Sequence, residues 1–433
     1  MRTPWGDAAE LRARMLRPGP GMPREEVARS QRERLFAATV ACVAEKGYER
    51  TSVADLLELS GVSRSAFYAH FCDKEDCFLA AFDAIAEQAM ELVGEELGQG
   101  GLPEERARDA LRRLLGTIAL QPAASRFCFE DVYTLGERGR LAVERSMASF
   151  ASLAGGAIAE LRGGDELPRE MVRGVVGGAQ AIVQAHLHRN EEAALPDRAD
   201  DLWGWALGYE PPSAPLRLAG RRPGAVDNGH PPPFVAYSQA ERIIRALAAC
   251  AGERGYPAVT IAEIAAHAGV SQATFYSHFA DRDAALVAAL DSAEAQLLGV
   301  VLPAVKRAPD WAHGVRAGVG ALCAFGAAEP DLARLFVVEA YAAGRAATGQ
   351  RERTVRKMRS LLEPGFEISP ATKPIVGDAV LGAVWALVYR QIVAGPQDLP
   401  RIAPLASYMV LAPFVGAEEA LEVSNGDGHG RFG

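Results

Sequence analysis

RERLFAATVACVAEKGYERTSVADLLELSGVSRSAFYAHFCDKEDCFLAAFD, residues Arg32 to Asp83, returns 208 residues later as AERIIRALAACAGERGYPAVTIAEIAAHAGVSQATFYSHFADRDAALVAALD, Ala240 to Asp291. The two stretches align without a gap, and close to two positions in five are identical. Solenoid repeats recur every few tens of residues, so a spacing this long points to two copies of one domain.

Within the first copy, Leu35, Phe36, Thr39, Val40, Cys42 and Val43 fall on one broad face of a helix. Gly47 ends that helix, and Ser52 with Asp55 forms a capping box that opens the next, as Thr260 and Glu263 do in the second copy. The second helix stops at Gly61 (Gly269), and Ser63 (Ser271) caps a third. Two short helices joined by a glycine turn, the second starting at a serine cap, are a helix-turn-helix pattern. Phe67 and Phe71 lie four apart and bury together, which leaves Arg64, Ser65, Tyr68 and His70 outside the core.

Gly47-Tyr48, Ser52-Val53-Ala54-Asp55, Gly61-Val62-Ser63, Phe67-Tyr68-Ala69-His70-Phe71 and Asp73-Lys74-Glu75 resemble the DNA-binding head of TetR/AcrR transcriptional regulators. The match recurs in Gly255-Tyr256, Thr260-Ile261-Ala262-Glu263, Gly269-Val270-Ser271, Phe275-Tyr276-Ser277-His278-Phe279 and Asp281-Arg282-Asp283. The resemblance implies an all-α chain of two tetracycline-repressor-like units, each a three-helix head on a larger helical body that binds a ligand and dimerises through its last two helices. It further implies repression of an operator and release by a small-molecule effector. Carried over residue by residue, Ser52 and Thr260 contact phosphate. Arg64, Ser65 and Ala66, with Gln272, Ala273 and Thr274, face bases. Tyr68, His70, Tyr276 and His278 hold the backbone, and Lys74 and Arg282 stand at the next helix start.

The expected organisation is a flexible arm at 1–23, a head at 24–83, a body at 84–209 and a Pro-rich linker at 210–235. A second head at 236–291, a second body at 292–417 and a disordered tail at 418–433 complete it. Val172–Arg189 resembles Val376–Ala394, and Asp201–Tyr209 resembles Ala406–Phe414, so each half reads as a complete protomer. A linker of this length spans roughly 25–30 Å as a coil. The simplest arrangement is an intramolecular pseudo-dimer, whose half-sites would lie about 34–36 Å apart. A further homodimerisation would give four heads.

The differences between copies bear on specificity. Arginine suits the O6/N7 edge of guanine, glutamine the N6/N7 edge of adenine, and a threonine methyl can touch thymine. Arg64-Ser65-Ala66 and Gln272-Ala273-Thr274 should therefore favour an imperfect palindrome.

The bulk numbers exclude other classes. At 433 residues, 49% apolar and 23% charged, the chain is an ordinary globular protein with room for several cores. A net charge of −9 argues against indiscriminate nucleic-acid binding, so DNA contact must come from local geometry. The six cysteines form no CxxC pair, and Cys42 and Cys250 occupy equivalent positions on an apolar face, as buried thiols do. His186 and His188 lie about 200° apart around a helix and cannot share an ion from it. No metal, cofactor or catalytic set is expected. The start lacks an apolar secretory core, and the apolar run Ala379–Tyr389 is too short to span a bilayer, so a cytoplasmic protein is expected. In the bodies, Phe127, Phe129, Glu130, Tyr133, Phe325, Phe336, Glu339, Trp385 and Tyr389 are candidate effector contacts, against the alternative of plain core. A helical ligand-binding or scaffold protein with degenerate heads is the competing class.

Overall fold

The computed structural model describes residues 1–13, 15–16, 23–217, 238–341 and 345–426. Apart from a short antiparallel hairpin, β1 (Arg2–Thr3) with β2 (Gly6–Asp7), the regular elements described are helices. The first half supplies α1 (Arg24–Lys46), α2 (Val53–Ser60), α3 (Arg64–His70), α4 (Lys74–Leu97) and α5 (Pro103–Leu120). It continues with α6 (Pro122–Phe129), α7 (Gly136–Leu161), α8 (Arg169–Arg189) and α9 (Ala199–Leu207). The second half repeats the series as α10 (Gln239–Arg254), α11 (Ile261–Ala268), α12 (Gln272–His278), α13 (Arg282–Lys306), α14 (Trp311–Ala328) and α15 (Pro330–Val337). Then come α16 (Arg345–Arg359), α17 (Glu363–Ile368), α18 (Ile375–Ala394), α19 (Ala403–Val415) and α20 (Ala417–Asn425).

The expected caps are made. The Ser52 hydroxyl accepts the Asp55 N–H while the Asp55 carboxylate accepts the Ser52 N–H, and Thr260 with Glu263 does the same. Gly61 and Gly269 take the left-handed conformation (φ +65° and +64°) that lets each turn reverse tightly into the next helix. Leu35, Cys42, Leu56, Val62, Phe67, Phe71 and Cys77 form the core of the first head. Cys42 and Cys250 are both buried, and burial pushes the Cys42 thiol up to about 11.

The chain forms two compact units, and they do not divide at the linker. One comprises Met1–Leu153 and Val183–Asp200, the other Ala154–Ile182 and Asp201–Gly433. The second unit therefore takes the end of α7, most of α8 and α9 from the first half of the sequence. Inside it α8 meets α18 at small residues. A Cβ on Gly382 would lie 2.5 Å from the Ala181 Cβ and 3.1 Å from the Gly178 Cα, and one on Gly174 would lie 2.6 Å from the Met409 Sδ. The Tyr209 hydroxyl donates to the Met409 carbonyl (2.7 Å), and Tyr408 donates to the Glu210 carbonyl (2.8 Å). Arg390 pairs with Glu170 at the edge.

Three expectations change. Residues 1–13, read as part of a flexible arm, fold onto the first head: Ala8 and Leu11 are buried with Ala37, Ala38 and Ala41, and Trp5 packs on Phe36 at 5.1 Å. Residues 14 and 17–22 of the arm lie outside the described residues. Residues 417–425, mostly assigned to a disordered tail, form α20, which buries Ala420, Leu421 and Val423 against its neighbours. Residues 427–433 lie outside the described residues, as do linker residues 218–235, but the start of the linker is held. The Arg217 N–H donates to the Asn425 side chain (2.6 Å), whose amide donates to the Pro215 carbonyl (3.3 Å). Finally, α13 and α18 are long and apolar enough to cross a bilayer by length and composition, although the run Ala379–Tyr389 alone is not. Within the second unit, α13 packs on α10, α14 and α16, and α18 on α15 and α19.

Because no Cβ fits at the α8–α18 crossing, Gly382→Val should overpack it and cost about 1–3 kcal/mol. Gly116→Ala, in a helix interior with open space around it, should instead stabilise by about 0.5–1 kcal/mol. Urea unfolding of the two variants checks the opposite signs.

Candidate nucleic-acid interface

Each head presents the N-terminus of its third helix beside the cap of its second. Ser63 and Ser271 cap α3 and α12 by accepting the Ala66 and Thr274 N–H groups at 3.2 and 3.0 Å. Phe67 and Phe275 are fully buried and anchor one face of each helix. Tyr68 and Tyr276 lie edge-on to them and remain 52% and 55% exposed, so a large aromatic with a free-facing hydroxyl projects from each head at the same place. An exposed tyrosine this size on a small rigid helix suits a phosphate contact.

Arg64, Ser65, Gln272 and Ala273 are exposed at the helix starts. Ala66 and Thr274 are half-buried: Ala66 packs on the head core, and the Thr274 hydroxyl lies 2.9 Å from the Ser271 hydroxyl. These two are the least exposed of the six. His70 Nε2 lies 3.0 Å from the Gln31 side-chain oxygen and His278 Nε2 lies 3.3 Å from that of Gln239, so both rings are oriented by the first helix of their head. Burial, with Arg32 nearby, holds the His70 ring below its ordinary value, which favours the neutral ring as hydrogen-bond donor to Gln31.

The capping carboxylates are tied down. Lys46 bonds Asp55 at 2.6 Å and holds its carboxyl well below the usual range, together with Ser52. Arg254 pairs with Glu263 at 2.8 Å, the same arrangement in the second head. These pairs neutralise acid at the caps of α2 and α11, a local effect that a tally of net charge does not register.

Lys74 and Arg282 do not point outward. Lys74 Nζ donates to the carbonyls of Tyr48 (3.0 Å), Glu49 (3.4 Å) and Thr51 (3.0 Å) and stands 4.2 Å over the Tyr48 ring. Arg282 Nη1 donates to the carbonyls of Tyr256, Pro257 and Val259 and lies 4.4 Å over the Tyr256 ring. Each cation closes the turn between the first two helices of its head, so the expected backbone role gives way to a structural one. Arg34 was not singled out from sequence. It is buried and donates to the Ser60 carbonyl at 2.7 Å, while Arg242 stands beside Gly269 in the second head.

The candidate effector residues do not converge on one place. Phe127 stacks on Phe78 (3.8 Å), and the Phe129 carbonyl accepts the Gln184 amide (3.1 Å). Glu130 ends α6, Tyr133 is buried in the 3-10 turn after it, and Phe325 is half-buried on α14. In the second body Phe336 meets Trp385 (5.7 Å) and Tyr341 meets Tyr389 (6.4 Å), which groups four aromatics between the α15 region and α18. Glu339 serves the head, accepting the Tyr256 N–H at 2.8 Å. A different buried carboxylate, Glu294 on α13, accepts from Gln350 (3.0 Å) and Thr354 (2.6 Å) and pairs with Lys357. Burial pushes its carboxyl up, and these partners outweigh that and hold it down. Its only sequence signal was an acid among apolar residues, shared with Asp291 three residues before it.

If Lys74 closes the turn, Lys74→Ala should lower the stability of the first head by about 1.5–3 kcal/mol, the worth of a charged hydrogen bond. It should also leave the salt slope of any DNA binding unchanged, whereas losing a phosphate contact would reduce that slope by about 0.9. His70 predicts a pH effect. A ring whose folded value is depressed binds its proton less readily than in the unfolded chain, so stability falls as pH drops through about 6.5. Thermal melts across that range should show the slope, and His70→Asn should flatten it.

Residues 35–81 and 243–290 each match the family described as bacterial regulatory proteins, tetR family. The HTH-type transcriptional repressor AcnR of Corynebacterium glutamicum is 39% identical over 66 residues, which is 15% of this chain and 35% of that protein. AcnR of Corynebacterium diphtheriae is 40% identical over 65 residues, 15% of this chain and 34% of that protein. The chain thus spans about a third of the length of the curated relatives it matches. Among solved structures, the fatty acid degradation regulator FadR of Bacillus halodurans aligns with a TM-score of 0.38 at 17% identity, covering 41% of this chain and 97% of that one. FadR of Bacillus subtilis, solved with stearoyl-CoA, aligns with a TM-score of 0.37 at 16% identity, covering 40% and 96%. The two repeated heads are therefore tetR-family domains of bacterial regulatory proteins, carried in tandem on one chain.

Proposed function

We propose that this chain is a cytoplasmic DNA-binding transcriptional repressor that works as an intramolecular pseudo-dimer and has no catalytic role. The observation that carries the reading is the pairing of two intact heads with one shared bundle. The closing helices of the first half, α8 and α9, pack with α18 and α19 of the second inside a single compact unit. A homodimer makes such a bundle from two chains; here one chain supplies both partners.

The phosphate set comprises Ser52, Tyr68 and His70 with Thr260, Tyr276 and His278. Base reading falls to Arg64 and Ser65 in one head and to Gln272 and Ala273 in the other. Ala66 and Thr274 have secondary parts, because Ala66 packs on the head core and the Thr274 hydroxyl is engaged by Ser271. The chemistry at the two helix starts differs, so the operator is an imperfect palindrome, with guanine favoured in one half and adenine in the other. A small-molecule effector would release it, with the Phe336, Tyr341, Trp385 and Tyr389 group in the second body as its nearest aromatic lining.

Selection from random duplex DNA, followed by footprinting and light scattering, tests this. One chain should protect one site of unequal halves. Arg64→Ala should cost about 1–3 kcal/mol and relax the guanine preference in its half alone, with Gln272→Ala acting on the other half. Tyr68→Ala and Tyr276→Ala should weaken binding to all sequences. Two chains per duplex would sink the pseudo-dimer, and no enrichment at low salt would sink DNA binding and favour a ligand-binding or scaffold protein.

A further inference from the structure

The two halves fasten α6 and α15 to their heads by different chemistry, although the first head also pairs Glu75 and Asp83 with Arg138 and Arg145 of α7. In the second half, Arg245 on α10 pairs at 3.2 Å with Glu329, which sits at the N-terminal end of α15. Just past the other end of α15, Glu339, 5% exposed, accepts the Tyr256 N–H at 2.8 Å, with Arg334 Nε 3.7 Å from its second oxygen. Tyr256 opens the turn after α10, where its hydroxyl also bonds Asp283 and its ring lies against Arg282. Both ends of α15 are thus fastened to α10 or to the turn that follows it by a carboxylate.

The register of the repeat places Ala37, Gln121 and Asp131 at the positions of Arg245, Glu329 and Glu339. The first of those ion pairs therefore has no counterpart in the first half. There, Phe78 on α4 stacks on Phe127 of α6 at 3.8 Å and 18°, with Tyr48 edge-on to Phe78 at 5.5 Å. The matching residues of the second half, Leu286 and Leu335, are aliphatic. Ala37 is buried under Ala8 and Leu11, and β1 packs on both α1 and α6. The N-terminal segment is an apolar wedge at the very joint where the second half uses charge.

We propose that Arg245, Glu329 and Glu339 are positioning residues that fix the second head on its body, while residues Arg2–Leu11, with β1 on α6 and Leu11 on α1, and the Phe78–Phe127 stack fix the first. The heads therefore loosen independently. Removing one partner of a part-buried ion pair strands the other charge, whereas thinning an apolar wedge exposes alanine and aromatic surface. The DNA half of the test rests on the heads being DNA readers; the amide-exchange half does not.

The experiment is hydrogen exchange on the full chain without DNA, paired with footprints on selected DNA. Arg245→Ala, which installs the residue found at that position in the first half, should speed exchange in α10–α12 by about tenfold and leave α1–α3 unchanged. Its footprint should fade only over the half contacted through Gln272. The charge-reversed pair Arg245→Glu with Glu329→Arg should restore both readouts, as loss of simple packing would not. Leu11→Ala should do the reverse, opening α1–α3 and sparing α10–α12. Equal loosening of both heads by either variant, or failure of the charge reversal to rescue, overturns the proposal. Should the wild-type chain select no DNA, the repressor reading falls and the exchange comparison still decides the joints.

Discussion

The contact on which most of the second unit depends is the approach of α8 to α18 at Gly178 and Gly382. Backbone meets backbone there, because a Cβ on Gly382 would come within 3.1 Å of the Gly178 Cα. Glycine in a helix interior forfeits about 0.5–1 kcal/mol relative to alanine, so two helices that carry it at facing positions need compensation from packing. The compensation is visible in the side chains the approach admits. Trp205 and Ala379 close over Gly178, Met409 over Gly174, and Ala386 over Gly177. The hydroxyls of Tyr209 and Tyr408 then donate to carbonyls of the opposite half, so these two polar groups are buried with partners.

This contact changes how the repeated sequence is to be understood. The chain is duplicated end to end, yet its compact units interleave the halves, because a closing helix pair has no core of its own. In the first half α8 and α9 meet α18 and α19 through the glycine crossing and the Tyr209 hydroxyl. The heads, by contrast, are local: each three-helix core is complete within about fifty residues.

That difference explains what could be read in advance. The capping boxes at Ser52 and Thr260, the turn glycines Gly61 and Gly269 and the Phe67/Phe71 spacing are signals three or four residues apart, and all of them held. The inward course of Lys74 and Arg282 was not legible, since it depends on where the carbonyls of a turn more than twenty residues earlier come to lie. The same holds for Glu294, whose partners are about sixty residues away, and for residues 1–13, whose apolar side chains look unremarkable until α1 and α2 are present to receive them. α20 was missed for a simpler reason: its Glu-rich start reads as a polar tail, although Ala420, Leu421 and Val423 fall on one buried face.

In a symmetric dimer of identical chains every substitution occurs twice, facing its own copy. At the α8–α18 crossing the two sides are encoded separately. Gly174 faces Met409 and Gly177 faces Ala386, with no requirement that the reciprocal positions match. A favourable change on one side need not be tolerated on the other, and the two halves are free to drift apart in sequence while the bundle persists. The two sides of the crossing also share one backbone, so their contact is intramolecular and does not depend on concentration.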